Sequence, residues 1–244
     1  MKFNSIKNSY EALLKDIKNC FYSSNDSIHK ARNEIKIIDF DGESLVVKSF
    51  KIPNIINKIV YTVFKDSKAK KSYENSIKIK DFVPKPIGYI EFRKFCLINE
   101  SYFVSENFKY DFTIREPLTG KEFPKKDVLF KAFAEFTYKL HEDGIFHLDY
   151  SPGNILIKEE NDGYIFKIVD INRMEFKPLS LDERLKNFSK LWAKDEDLKT
   201  IIKEYCKLIH SDEESCVKIA LKQSQAHKDR KNAKKRLRGE AVVD

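Results

Sequence analysis

One stretch of this chain constrains its fold more than any other. From His147 a polar loop carries Asp149 and, five positions on, Asn154; two apolar runs, Ile155–Ile157 and Phe166–Val169, then lead to Asp170. Pro152-Gly153 marks a turn, and the β-branched runs read as a short two-strand element. Ahead of the loop, Asp127 to His141 holds Val128, Leu129, Phe130, Phe133, Phe136, Thr137 and Leu140 at helical spacing, and Asp143-Gly144 stops it. The chain therefore delivers three oxygen-bearing side chains from a loop and a strand end, directly after a buried helix.

Upstream, the first half reads mostly as strands. Asn33–Phe40 and Ser44–Phe50 flank Asp41-Gly42, a two-residue hairpin signal that puts Lys48 late in the second strand. Ile55 to Phe64 has apolar residues at helical spacing with Lys51, Lys58 and Lys65 nearby; this face is expected to pack on the sheet rather than lie on lipid. Helix-forming residues continue from Lys68 to Ile79, carrying Glu74, and Pro84 and Pro86 close the region. Strands are expected at Ile87–Phe92 and Phe95–Val104. The polar break Ser105-Glu106-Asn107 separates residues 1–106 from 107–244. After Asp170 the pattern is helical: Leu181–Trp192, Asp197–Ile209 and Ser215–Arg238. The whole is an α+β, two-lobed plan.

With 244 residues, 41% of them hydrophobic, the chain can bury a proper core. Its formal charge of +8 is concentrated between Lys222 and Arg238, which makes anionic partners plausible, although such runs usually form solvated helix faces. Aromatic residues are not interleaved with the cluster, which argues against nucleic acid as a partner. Cys20, Cys96, Cys206 and Cys216 form no C-x-x-C pair and indicate neither a zinc site nor a disulfide framework. No apolar leader and no membrane span is apparent, so a cytoplasmic protein is expected, with room for peripheral contact through its basic residues.

The loop and its surroundings suit in-line phosphoryl transfer, which needs an aligned nucleophile, magnesium ligands and a cation on the phosphates. Asp149 is the candidate base. Asn154 and Asp170 are candidate Mg2+ ligands, one a neutral oxygen donor and the other an anionic one. Lys48 is the candidate contact to the ATP phosphates, with Glu74 as its partner. His147 joins Asp149 among the catalytic candidates, although a scaffold role, bonding loop backbone and holding Asp170 in place, is the reading favoured for it. His141 is expected to be structural. Taken singly, each of these residues has an ordinary explanation as a turn former or solvated charge; their order along the chain sets them apart.

Together, H-x-D-x-x-x-x-N, the strand ending on Asp170 and the Lys48/Glu74 pair resemble the protein-kinase-like superfamily over nearly the whole length. More narrowly, Leu45–Lys51, Ser67–Glu74, Val83–Glu91 and Leu181–Phe188 are similar to bacterial lipopolysaccharide core kinases of the Kdo/WaaP type. The resemblance implies a β-rich, nucleotide-binding N-lobe (1–106) and a reduced helical C-lobe (107–244) with catalytic loop, acceptor site and basic C-terminal helix. It further implies ATP-dependent phosphorylation of a Kdo or heptose hydroxyl on a lipid-linked acceptor at the cytoplasmic face of the inner membrane.

Departures narrow the acceptor. Leu148 stands where regulated protein kinases carry Arg, Asp170-Ile171-Asn172 replaces D-F-G, and no A-P-E follows. Pro152-Gly153-Asn154 is also similar to small-molecule phosphotransferases acting on aminoglycosides or choline, an alternative acceptor class. A glycine-rich nucleotide loop is missing; Tyr22–Ser27 is the small, polar stretch that could replace it, and its absence leaves a pseudokinase-like binding module as the non-enzyme alternative.

Overall fold

The structure is a computed structural model that describes residues 1–30, 33–120, 122–161 and 163–241, with the backbone alone at 63 and 64. The chain divides into two compact units. The first comprises Met1–Lys109 together with Asp170–Asn172, and the second Tyr110–Val169 with the chain from Arg173 on.

The first unit is built on a six-stranded antiparallel sheet: β1 (Lys2–Ser5), β2 (Ser27–Lys30), β3 (Glu34–Phe40), β4 (Glu43–Phe50), β5 (Pro86–Lys94) and β6 (Leu97–Glu106) in the order β1-β5-β6-β4-β3-β2. The β3–β4 hairpin turns at Asp41 and Gly42, with φ of 50° and 79°, the left-handed pair a two-residue turn requires. Strand alternation gives the sheet two apolar faces. Helix α1 (Glu11–Ser23) covers one, packing Leu13, Leu14, Ile17 and Phe21 against Leu45, Val47, Ile90, Tyr102 and Val104. This helix was not anticipated, although Leu13, Leu14, Ile17 and Phe21 follow helical spacing.

Helix α2 (Ile55–Ile59) starts at Asn54, whose side chain accepts from the Asn57 N–H, and runs on as a π-helical turn, Val60–Phe64. Helix α3 (Lys68–Lys78) starts at Ser67, whose hydroxyl accepts from the Lys70 N–H. Its Ala69 and Tyr73 cover the second sheet face with Phe50 and Tyr89. The expectation that the apolar face at Ile55 packs on the sheet is overturned: Ile55, Ile56 and Ile59 are exposed. Polar bonds tether that segment instead, and α3 supplies the cover. The side chains of Val63 and Phe64 lie outside the described residues.

In the second unit, β7 (Phe112–Thr113) leads to the short helix α4 (Arg115–Thr119), and α5 (Lys126–Glu142) carries the buried Leu129, Phe130, Phe133, Ala134, Thr137 and Leu140. Val128, expected on that face, points outward. Gly144, at φ 66°, ends the helix where a side chain would collide with the Lys177 carbonyl. β8 (Ile145–His147) follows, then the loop and the hairpin of β9 (Ile155–Glu160) and β10 (Gly163–Ile168); β7 pairs with β9, and β11 (Met174–Phe176) with β8.

The remaining helices are α6 (Leu181–Phe188), α7 (Asp195–Leu208) and α8 (Glu213–Leu237). Ser180 and Glu183 form a capping box on α6. The single helix expected over Leu181–Trp192 ends at Phe188 and tightens into a 3-10 turn, with Trp192 left-handed at φ 57°. Phe133 centres the core, with Tyr150, Phe166 and Phe188 packed around it.

Candidate active site

The loop from His147 to Asn154 is held by its own backbone. The His147 ring is fully buried, and its Nδ1 accepts from the Asp149 N–H at 2.9 Å, which puts the ring proton on Nε2, 3.0 Å from the Val169 carbonyl. Both nitrogens are thus engaged with backbone, one beside Asp149 and the other beside the residue before Asp170. These two bonds to backbone are what the scaffold role expected of His147 requires.

A second buried chain supports the first. Asn187 of α6 donates from Nδ2 to the His147 carbonyl at 2.9 Å and receives His141 Nε2 on Oδ1 at 3.1 Å; His141 Nδ1 takes the Tyr205 hydroxyl at 2.8 Å. Burial holds His141 down to a pKa of about 4, so it stays neutral and keeps this bonding pattern near pH 7.

Asn154 lies at the end of the turn. Its Nδ2 donates to the Asp149 carbonyl at 2.9 Å, its N–H to the Ser151 carbonyl, and its own carbonyl takes the Val169 N–H. The amide oxygen Oδ1 is left without a donor among the described residues, as a cation ligand would be. A side chain on Gly153 would come within 2.7 Å of the Arg115 guanidinium, the flexible end of a long side chain that can swing aside.

Asp149 forms an ion pair with Arg173 through Oδ2. Lys190 and His227 both lie within electrostatic reach of Asp149. Lys190, half-buried, has no hydrogen-bond or carboxylate partner among the described residues; burial, then Arg230 and Lys231, lower its pKa, while Asp149 raises it. His227 on α8, 3.2 Å from Arg230 through Nδ1, is pushed down to about 4 by burial and by the same lysines and arginine. Lys190 thus links the loop carboxylate electrostatically to Arg230 and Lys231 of the basic α8.

The first unit holds the other candidates. Lys48 shares its strand face with Phe50, over whose ring it lies, and its Nζ is 2.7 Å from Asp170 Oδ1. Asn172 Nδ2 reaches the same oxygen at 2.6 Å. Asp170 itself is left-handed, at φ 58°, a conformation that costs a non-glycine residue energy and needs support. Asn75 of α3 supplies some of it by donating to the Ile171 carbonyl at 2.6 Å.

Glu74 is not brought to Lys48. It is half exposed and pairs with Lys70 at 3.5 Å, while the carboxylate partner of Lys48 among the described residues is Asp170. Neighbouring helix residues point about 100° apart, so Glu74 turns outward where Asn75 turns inward. The polar stretch Tyr22–Ser27 is not a free phosphate loop: it ends α1 and enters β2, Ser24 Oγ donates to the Ile37 carbonyl, and Lys36 Nζ donates to the carbonyls of Phe21 and Ser24. Residues 31 and 32, between β2 and β3, lie outside the described residues.

Sequence reasoning missed Arg173, Asn172, Asn75 and Asn187. Arg173 and Asn172 could have been flagged by adjacency to Asp170; Asn75 and Asn187 carry no signal beyond being polar residues on helices with a buried face.

No family model and no curated protein matches the chain. Among solved structures, WaaP in complex with acyl carrier protein is similar over 93% of this chain and 99% of WaaP, with a TM-score of 0.61 at 13% identity. The chain shares the fold of WaaP. The apo pseudokinase GRMZM2G135359 is a more distant neighbour, with a TM-score of 0.48 and 11% identity over 78% of this chain and 70% of its own. The β-rich first unit and helical second unit fit the α+β class expected from the sequence.

Proposed function

We propose that this chain is an ATP-dependent kinase that phosphorylates a hydroxyl of an inner-core sugar of lipopolysaccharide, Kdo or heptose, on a lipid-linked acceptor. The observation that carries the reading is the Lys48–Asp170 ion pair at 2.7 Å, formed by residues 122 positions apart. It sets a cation suited to the α/β-phosphates beside a carboxylate suited to magnesium.

The residues present fit magnesium and ATP. Asp170 and the amide oxygen of Asn154 would supply hard oxygen ligands for Mg2+. Magnesium-ATP supplies the γ-phosphoryl group with its charge partly neutralised. Asp149 orients the acceptor hydroxyl and takes its proton as the new P–O bond forms and the bond to ADP breaks. Arg173 must release Asp149 or swing with it for that proton to be accepted. Lys190, which interacts with Asp149, and Arg230 and Lys231, which interact with Lys190, suit an acceptor carrying carboxylate or phosphate groups, as inner-core sugars do. Acyl carrier protein, the partner in the WaaP structure, extends the proposal to a protein partner, which co-purification tests.

The test is incubation with magnesium-ATP and a Kdo-bearing lipid A acceptor, read by mass spectrometry. One added phosphate on the sugar, lost in Asp149→Ala, is expected. An unchanged acceptor overturns the substrate. Turnover on soluble aminoglycosides or choline would point to the small-molecule class, and nucleotide binding without turnover on any acceptor would point to a pseudokinase.

A further inference from the structure

Two elements of the first unit meet at an apolar surface that the proposed chemistry does not use. Lys58 Nζ donates to Asn99 Oδ1 at 2.9 Å and the Ile98 N–H to Thr62 Oγ1 at 3.0 Å, tying α2 and its π-helical extension to the β5–β6 hairpin. From this junction large apolar side chains project. Ile52 is 44% exposed, Ile55 and Ile56 70%, Ile59 47% and Phe95, at the hairpin tip, 88%.

Ile55, Ile56 and Ile59 stand at i, i+1 and i+4, on one side of the helix. Exposed singly, such residues need no explanation; grouped, they mark an interaction surface. Basic residues outnumber acidic ones nearby, and the flanking carboxylates are already paired, Asp66 with Lys70, Glu91 with Arg93 and Glu100 with Lys18. Residues 51–65 contain Lys51, Lys58 and Lys65, residues 92–99 contain Arg93 and Lys94, and neither stretch contains Asp or Glu.

We infer that this face docks on an anionic lipid bilayer, the isoleucines and Phe95 entering the acyl boundary while Lys51, Lys65 and Lys94 reach the headgroups. An amphipathic surface with an apolar centre and a basic border is the chemistry that binds such an interface. Long lysine stems cover apolar surface while their ammonium groups stay in the headgroup layer. A second copy of the same face would bring lysine against lysine, which disfavours self-association. Side chains this exposed also suit a fluid interface, which needs no complementary shape, better than a fixed protein groove.

This inference goes beyond the proposed reaction and does not depend on it. The full chain is sedimented with vesicles of phosphatidylglycerol and phosphatidylethanolamine, without nucleotide or acceptor, and with phosphatidylcholine vesicles for comparison. Binding to the anionic vesicles is expected to exceed binding to phosphatidylcholine by about tenfold or more and to weaken in high salt. The variant Ile55→Ser/Ile56→Ser, which alters exposed side chains alone and whose melting temperature should be unchanged, should lower vesicle affinity by about tenfold. In Ile56→Trp, fluorescence emission should shift to the blue on the anionic vesicles.

Three results would each overturn the proposal. These are failure of the native chain to sediment with anionic vesicles, binding of the double variant equal to the native chain, and a concentration-dependent dimer or an acyl carrier protein complex lost in the double variant while vesicle binding persists. Loss of kinase activity with vesicle binding intact would instead count against the reaction alone.

Discussion

The backbone N–H of Asp149 donates to Nδ1 of His147 across a single intervening residue, Leu148. That bond fixes the direction in which the Asp149 carboxylate leaves the loop, and it fixes the ring tautomer that lets Nε2 hold the Val169 carbonyl. His147→Phe keeps ring volume and loses both bonds. Buried groups left unsatisfied should cost about 1–3 kcal/mol of stability. In steady-state kinetics the variant should show a lower kcat with little change in KM for ATP; an unchanged kcat would remove the positioning role.

Lys48 and Asp170 make one ion pair, so their replacements should not add. Lys48→Met and Asp170→Asn should each abolish most magnesium-ATP binding, read by titration calorimetry. Their combined effect on stability should differ from the sum of the singles by about 1 kcal/mol, the coupling expected of a partly buried pair. Strict additivity would mean the two side chains do not interact in solution.

On α3, adjacent residues should behave oppositely. Glu74→Gln removes an exposed pair with Lys70 and should change stability by less than about 0.5 kcal/mol, with activity retained. Asn75→Ala removes the donor to the Ile171 carbonyl, should cost about 1 kcal/mol and should lower turnover by loosening the segment after Asp170. Activity lost in Glu74→Gln and kept in Asn75→Ala would reverse the assignment.

Acid should weaken the fold through His141. Burial lowers its pKa from the ordinary 6.5 to about 4, so between these values the unfolded chain binds a proton that the folded chain refuses. Its contribution is fully present above pH 6.5 and lost as the pH falls through about 4. The full loss is on the order of 3 kcal/mol. Denaturant melts between pH 7 and 4 should show that slope. In His141→Gln the slope should shrink, even if the starting stability is lower; an unaltered slope would exclude His141 as its source.

Much of this architecture is legible in residue order. Asp41-Gly42 announces its hairpin because left-handed turns restrict residue choice, and the loop from His147 to Asn154 is visible because its chemistry needs fixed spacings. What escapes is whatever depends on rotation about a helix axis. Periodicity puts Ile55, Ile56 and Ile59 on one face but does not say that α3 already covers the sheet, and it cannot tell whether Glu74 or Asn75 turns inward. Arg173 escapes for another reason: it meets Asp149 through β8 and β11, a pairing that neither strand's sequence specifies.

The chain Tyr205–His141–Asn187–His147 has a consequence for transplanting this loop. Each link fixes the orientation of the next, so the geometry of the segment from 147 to 154 is stored in α5, α6 and α7 as much as in its own residues. A graft of the eight-residue motif onto a foreign scaffold would carry the letters without the memory of their conformation. Asn187→Asp, a change of one amide nitrogen to oxygen, would turn the donor facing the His147 carbonyl into an acceptor and erase that memory from within.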